Sequence, residues 1–210
     1  GADATGVQLN RKVSANFSEA MDPLTITTAV ITLDDGITPV AGTVTYAGVT
    51  ATFRPTSDLA PDTTYTVTVL NEATDLAGNP LAGDYVWTFT TGSAADTTAP
   101  TVDSTDPEDA ATSVELNKRI VARFSEEMDP LTINAANFTL NAGLTPIAGT
   151  VIYVGTTARF RPTGGLTANT VYTATVWTDV EDLAGNPLAD NVVWTFTTGV
   201  APDTTPPTVT

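Results

Sequence analysis

The sequence predicts an all-β chain of two tandem β-sandwiches, about seven strands each, and three observations point there. The first is an internal repeat. Phe17-Ser18-Glu19-Ala20-Met21-Asp22-Pro23 returns as Phe124-Ser125-Glu126-Glu127-Met128-Asp129-Pro130, a shift of 107 residues. Phe53-Arg54-Pro55, Asp75-Leu76-Ala77-Gly78-Asn79-Pro80 and Trp87-Thr88-Phe89 all return at the same shift of 107, with no insertion or deletion. The second observation is a set of short segments rich in Val, Thr and aromatics with apolar residues at every other position, the period of a half-buried strand. The third is punctuation by Gly, Pro, Asn and Asp, as at Asn141-Ala142-Gly143 and Gly185-Asn186-Pro187, where the chain must turn.

Taken in order in the second repeat, strands are expected around Val102 and over residues 119–124, 137–140, 150–154, 158–161, 171–177 and 192–197. One helical turn is expected where Asp129 caps Pro130 at a first helical position. Leu59-Ala60-Pro61-Asp62-Thr63-Thr64-Tyr65 and its partner ending at Tyr172 precede the long penultimate strand. Both resemble a tyrosine corner, whose ring packs at the start of that strand while its hydroxyl bonds upstream backbone. That feature favours an immunoglobulin-like Greek-key sandwich over other all-β folds.

The strings F-S-E-x-M-D-P, F-R-P, D-L-A-G-N-P-L-A and W-T-F-T-T-G, present twice, resemble the bacterial immunoglobulin-like domain of the S-layer type, the Big_5 family. The resemblance implies β-sandwich modules of secreted or surface proteins, with a spacer or scaffold role, an extracellular or cell-surface address and no catalytic residues. The expected organisation is a first domain over 1–92, a linker over 93–100, a second domain over 101–199, and a linker with the start of a next repeat over 200–210. The first domain is expected to lack its opening strand, leaving a sheet edge or groove unpaired. Asp203-Thr204-Thr205-Pro206-Pro207-Thr208-Val209 repeats Asp96-Thr97-Thr98-Ala99-Pro100-Thr101-Val102, so a third unit is expected to begin there.

Composition narrows function. Eight Lys and Arg against 24 Asp and Glu give a net charge of −16, and there is neither His nor Cys. Without those two residues the chain lacks the usual zinc, haem and iron-sulfur ligands, the Ser-His and Cys-His nucleophile pairs, and disulfides. So acidic a surface repels nucleic acid phosphates and anionic membrane faces. No run approaches the ~18–20 apolar residues of a membrane span. No enzyme, no nucleic acid partner and no membrane insertion are expected.

The candidate site is a calcium site. In a sandwich, the turn bearing Glu126, Glu127 and Asp129 and the loop from Asp179 through Asp182 to Asn186 share the pole where the linker bearing Asp96 arrives. Asp96, Glu126, Glu127, Asp129, Asp182 and Asn186 would supply the hard oxygens calcium takes. The competing reading is that Asp129 caps a turn, Asp182 makes an Asx-turn, and no D-x-D-x-D-G calcium loop exists.

Other features have plain structural readings. Arg54 and Arg161 point away from the face that the adjacent Phe buries. Trp87 and Trp194 share a strand face with Phe89 and Phe196, as core residues do. Trp177, where the first unit has Leu70, suggests an apolar slot. Thr rows serve solvent-facing strands rather than an ice lattice. No repeated Lys exists for an isopeptide bond, because Lys12 aligns with Arg119 and Lys118 with Arg11.

The function expected is therefore a structural spacer, stalk or filament segment whose partners are adjacent immunoglobulin-like domains of the same array. An adhesin-type module binding glycan or protein through pole loops is one alternative. A subunit that polymerises with other copies by strand complementation is another.

Overall fold

The computed structural model describes residues 2–200. These residues form strands and no helix, and the chain divides into two compact units, one built around Gly1–Thr98 and the other around Ala99–Asp182 and the strands beyond Asn186. The segment 201–210, expected to open a further repeat, lies outside the described residues. No helix among the described residues is long and apolar enough to cross a membrane.

The first unit contains β1 (Ala4–Val7), β2 (Val13–Asn16), β3 (Ile31–Asp34), β4 (Gly42–Ala47), β5 (Thr50–Pro55), β6 (Thr64–Val69) and β7 (Tyr85–Thr91). One sheet has the order β1-β7-β6-β3 and the other β2-β5-β4. The second unit contains β8 (Val102–Asp106), β9 (Ala111–Val114), β10 (Ile120–Phe124), β11 (Phe138–Ala142), β12 (Thr145–Pro146), β13 (Gly149–Val154), β14 (Thr157–Pro162), β15 (Val171–Val176) and β16 (Val192–Thr198). Its sheets are β12-β11-β15-β16-β9 and β13-β14-β10-β8. Each unit is thus an immunoglobulin-like sandwich whose chain switches sheets between hairpins.

Alternation builds each core. In β6, Tyr65, Val67 and Val69 point inward and Thr64, Thr66 and Thr68 lean outward; in β15, Tyr172, Ala174 and Val176 are buried. Tyr65 stacks on Phe89 at 5.7 Å and Tyr172 on Phe196 at 5.5 Å, because each pair sits in direct cross-strand register. The tyrosine corner is present twice: the Tyr65 hydroxyl accepts the Ala60 N–H at 2.9 Å, and Tyr172 accepts that of Thr167 at 2.7 Å. Beside each corner a buried threonine works in both directions. Thr198 accepts the Thr170 N–H at 2.9 Å and donates to the Thr167 carbonyl at 2.6 Å. Thr91 does the same for Thr63 and Ala60, at 2.9 and 2.7 Å. Such hydroxyls lie inside at little cost because both hydrogen-bonding roles are filled.

Gly42 and Gly149 open β4 and β13 opposite Pro55 and Pro162. A Cβ on Gly42 would lie 2.3 Å from the Phe53 ring, and one on Gly149 would lie 2.4 Å from that of Phe160. These glycines let two core phenylalanines lie flat against backbone.

Four expectations need correction. Asp129 does begin a turn, with the Thr132 N–H reaching the Asp129 carbonyl at 3.0 Å. It does not grow into a helical turn: the chain leaves the turn at Ile133, which drops into the core. Trp177 fills no buried slot: it is 39% exposed and donates its indole N–H to the Thr139 hydroxyl at 3.1 Å. Strands β1 and β9 are additional. Ala111-Thr112-Ser113-Val114 carries little apolar signal, and Ser113 sits at φ 59°, which interrupts the alternation. Finally, Trp87 is only partly buried, although its partner Trp194 is a core residue.

Candidate functional site

The second unit brings its two acidic segments side by side. After β10 the chain turns through Ser125–Asp129, and after β15 it loops through Asp179–Asn186. Met128 and Asp182 form a bridge between them, and the Asp129 N–H donates to the Glu181 carbonyl at 2.8 Å. The Glu181 N–H in turn reaches the Thr132 hydroxyl at 3.1 Å. Glu126 on this turn is half-buried and Glu127 is exposed.

Most of these acids hold their own loops. Asp129 Oδ1 accepts the Leu131 N–H at 3.0 Å. Asp182 Oδ1 accepts the Asn186 N–H at 2.9 Å, and its Oδ2 takes the Asn186 side-chain amide at 2.8 Å. In the first unit, Asp96 exchanges backbone bonds with the Asn10 amide at 2.8 Å each, and its Oδ1 accepts the Thr98 N–H at 3.0 Å. The counterparts of Asp129 and Asp182 repeat the arrangement. Asp22 caps Leu24 at 3.0 Å, while Asp75 takes the Asn79 N–H at 2.9 Å and its amide at 2.7 Å. The Asn79 side chain, followed by its backbone N–H, holds the Asp75 carboxyl below the usual aspartate range. Oxygen ligands of this kind suit calcium. Their observed bonds are those of Asx-turns and caps, which need no ion.

Two tyrosines missing from the sequence reading anchor the same turns. Tyr46 and Tyr153 accept the N–H groups of Met21 and Met128, at 2.7 Å in each unit. Their only signal in sequence is recurrence at the shift of 107 on a strand position.

The first unit has a feature of its own, an apolar groove of about 500 Å³ beside β2. Ala15, Phe17, Leu81, Tyr85 and Trp87 are among the residues that line it. On its groove side β2 has no paired strand among the described residues, since its sheet ends there. In the second unit the equivalent edge, β10, is paired with β8: Val102 lies opposite Phe124 and packs against the core. Arg54 and Arg161 are exposed, on the side of their strands away from Phe53 and Phe160.

Comparison with known proteins gives the following. No curated protein sequence matches the chain. Its fold is similar to the N-terminal part of the bacterial S-layer protein SbsC, at 15% identity and a TM-score of 0.38, over 92% of this chain and 43% of that one. The chain thus spans less than half the length of that S-layer chain. It is also similar to the titin domains z1z2 solved in complex with telethonin, at 8% identity and a TM-score of 0.31, over 96% and 93% of the two chains. A third likeness is the N-terminal Ig1-2 module of the Drosophila receptor protein tyrosine phosphatase DLAR, at 11% identity and a TM-score of 0.29, over 95% and 96%. The sequence pattern of the Big_5 family, described as bacterial Ig-like domain, matches residues 1–91 and again 96–198. With the same sandwich, corner and loop bonds built twice, the chain belongs to the bacterial Ig-like domain family and carries its domain in two tandem copies.

Proposed function

We infer that this chain is a load-bearing spacer segment of a secreted or cell-surface bacterial protein. The observation that carries this reading is the parallel pairing of an early strand with the last strand in each unit, β1 with β7 and β9 with β16. Tension along the chain drives two parallel strands in opposite directions along their own axes. Their hydrogen bonds are then sheared together rather than opened one at a time. In the first unit, bonds in this ladder are Asp3 N–H to Thr88 O and Gly92 N–H to Val7 O, both 2.8 Å. In the second they are Ala110 N–H to Thr195 O at 2.7 Å and Gly199 N–H to Val114 O at 2.8 Å. Family membership supports the structural role. The net charge of −16 favours solubility of an extended array.

Single-molecule stretching tests it. Pulled from its ends, the chain should unfold in two separate steps. Gly199→Pro, which removes the donor to the Val114 carbonyl, should lower the force of one step more than Val151→Ala does in a comparison scaled to equal loss of thermal stability. Equal force losses would refute the shear account. Saturable binding of a glycan or protein, abolished by substituting Glu126 and Glu127, would replace the spacer with an adhesin-type module.

A further inference from the structure

We propose that the outer face of β13, β14 and β10 in the second unit is a docking surface for a second copy of this chain, and that it receives the acidic β3–β4 loop of that copy. The two units supply the comparison. In the second, Ile152, Arg159 and Val121 lie in cross-strand register. Val154 and Arg123, both opposite Thr157, form the next row, about 6.5–7 Å along the strands. Ile152 and Val154 are 57% and 63% exposed, and Arg161 continues the cationic line along β14. In the first unit the counterparts of Ile152, Val154, Val121, Arg123 and Arg159 are Thr45, Ala47, Ser14, Asn16 and Thr52; only Arg161 has a cationic one, Arg54. Among the described residues Arg123, Arg159 and Arg161 form no ion pair, in a chain that holds 24 Asp and Glu.

The chemistry of this face specifies its partner. Guanidinium groups fork onto carboxylates, and the exposed Ile152 and Val154 beside them call for an apolar side chain between those carboxylates. The first unit presents that combination at the tip joining β3 to β4, Asp34-Asp35-Gly36-Ile37, where Ile37 is 93% exposed. Asp34 Oδ1 accepts the Gly36 N–H at 2.9 Å, and Asp35 Oδ1 accepts those of Ile37 and Thr38 at 2.9 and 2.6 Å. The loop is thus held in shape before any contact, which lowers the cost of ordering it on binding. The corresponding tip of the second unit, Asn141-Ala142-Gly143-Leu144, keeps the apolar residue and has neither charge. Loop and face therefore diverge between the units in a complementary sense: one has gained the acids, the other the arginines. The two surfaces are different, so the contact is head-to-tail and need not close at a dimer.

The test uses the 210-residue chain. Its mass is followed by sedimentation from micromolar to millimolar concentration at 0.15 M salt, where repulsion between the net charges is screened beyond about 8 Å. The intact chain should rise from 21.7 kDa to dimers and longer species. A face variant, Arg123→Asn with Arg159→Thr, carries the residues of the first unit at those positions. A loop variant, Asp34→Asn with Asp35→Asn, keeps the oxygens that accept the turn N–H groups and removes the charge. Each variant alone should stay at single-chain mass at every concentration. Mixed in equal amounts, they should form a dimer with one of each and nothing longer, because one supplies the intact loop and the other the intact face. An intact chain that stays monomeric at millimolar concentration would overturn the proposal. So would association that survives in either variant alone, or a mixture that remains monomeric.

Discussion

The two units hold nearly the same side chains at the same spacing, yet among the described residues one closes its core and the other leaves it open along one edge. Phe124, Ile120 and Trp194 are 2%, 0% and 3% exposed, whereas their counterparts Phe17, Val13 and Trp87 are only partly buried. The difference follows from one strand. β8 extends the sheet of the second unit to four strands, and the corresponding sheet of the first has three. A side chain's burial depends on what its neighbours cover as much as on its own hydrophobicity. Equal sequence therefore produces unequal packing wherever an edge is paired in one copy and bare in the other.

The comparison can be broken most forcefully at the paired phenylalanines. Phe124→Ala should cost about 3–5 kcal/mol, the usual range for emptying a closed aromatic site. Phe17→Ala should cost roughly 1–2 kcal/mol, because a half-buried ring loses less apolar area. Calorimetric melting of the two variants checks the ranking, and equal losses would show that the open edge does not weaken the first core.

The glycines should behave alike in both units, which sharpens the contrast. Gly149→Ala and Gly42→Ala each press a Cβ against a phenylalanine ring and a strand carbonyl 2.7 Å away. Each should destabilise its own unit by about 1–3 kcal/mol, as overpacking does. Denaturant titration of each variant reads this directly. A near-neutral Gly42→Ala would mean that the first unit relaxes into its groove.

A smaller and equal effect is expected at the corner. Thr198→Val and Thr91→Val keep the side-chain shape but remove both hydroxyl bonds, leaving a backbone N–H and a carbonyl to find other partners. The expected loss is about 1–2 kcal/mol for each. Unequal values would reveal that the corner, identical in geometry, is held differently in the two units.

The smallest effect is electrostatic and local. The carboxyl of Asp75 is held below its ordinary range, chiefly by the Asn79 amide. Its contribution to stability is complete above the unfolded aspartate pKa near ~4 and is lost as pH falls through the lower folded value. Asn79→Ala should raise the Asp75 pKa toward the ordinary value, as read by NMR titration. An unchanged value would assign the shift to backbone donors alone.

Much of this was legible in the chain itself. The constant shift of 107 identified two copies of one domain, alternation located the strands that carry Val, Thr and aromatics, and the residues before Tyr65 and Tyr172 announced the corner. Strands β1 and β9 were not, since Ala-Thr-Gly-Val and Ala-Thr-Ser-Val carry almost no apolar signal and pair through backbone. The acidic residues named as calcium ligands could be assigned to loops, but not the oxygen atoms already bound to N–H groups. Sequence shows charge and spacing, whereas hydrogen-bond geometry belongs to the folded turn.

By itself the sequence determined the repeat, the all-β class, the approximate positions of most strands and the absence of histidine and cysteine chemistry, because these depend on local periodicity and residue type. Only the tertiary structure decided that Trp194 is core while Trp87 borders a groove, that Gly42 and Gly149 are pressed by phenylalanine rings, and that early and late strands pair in parallel. Those outcomes arise from contacts between segments far apart in the chain, where the presence or absence of one neighbouring strand sets what is buried and what is left open.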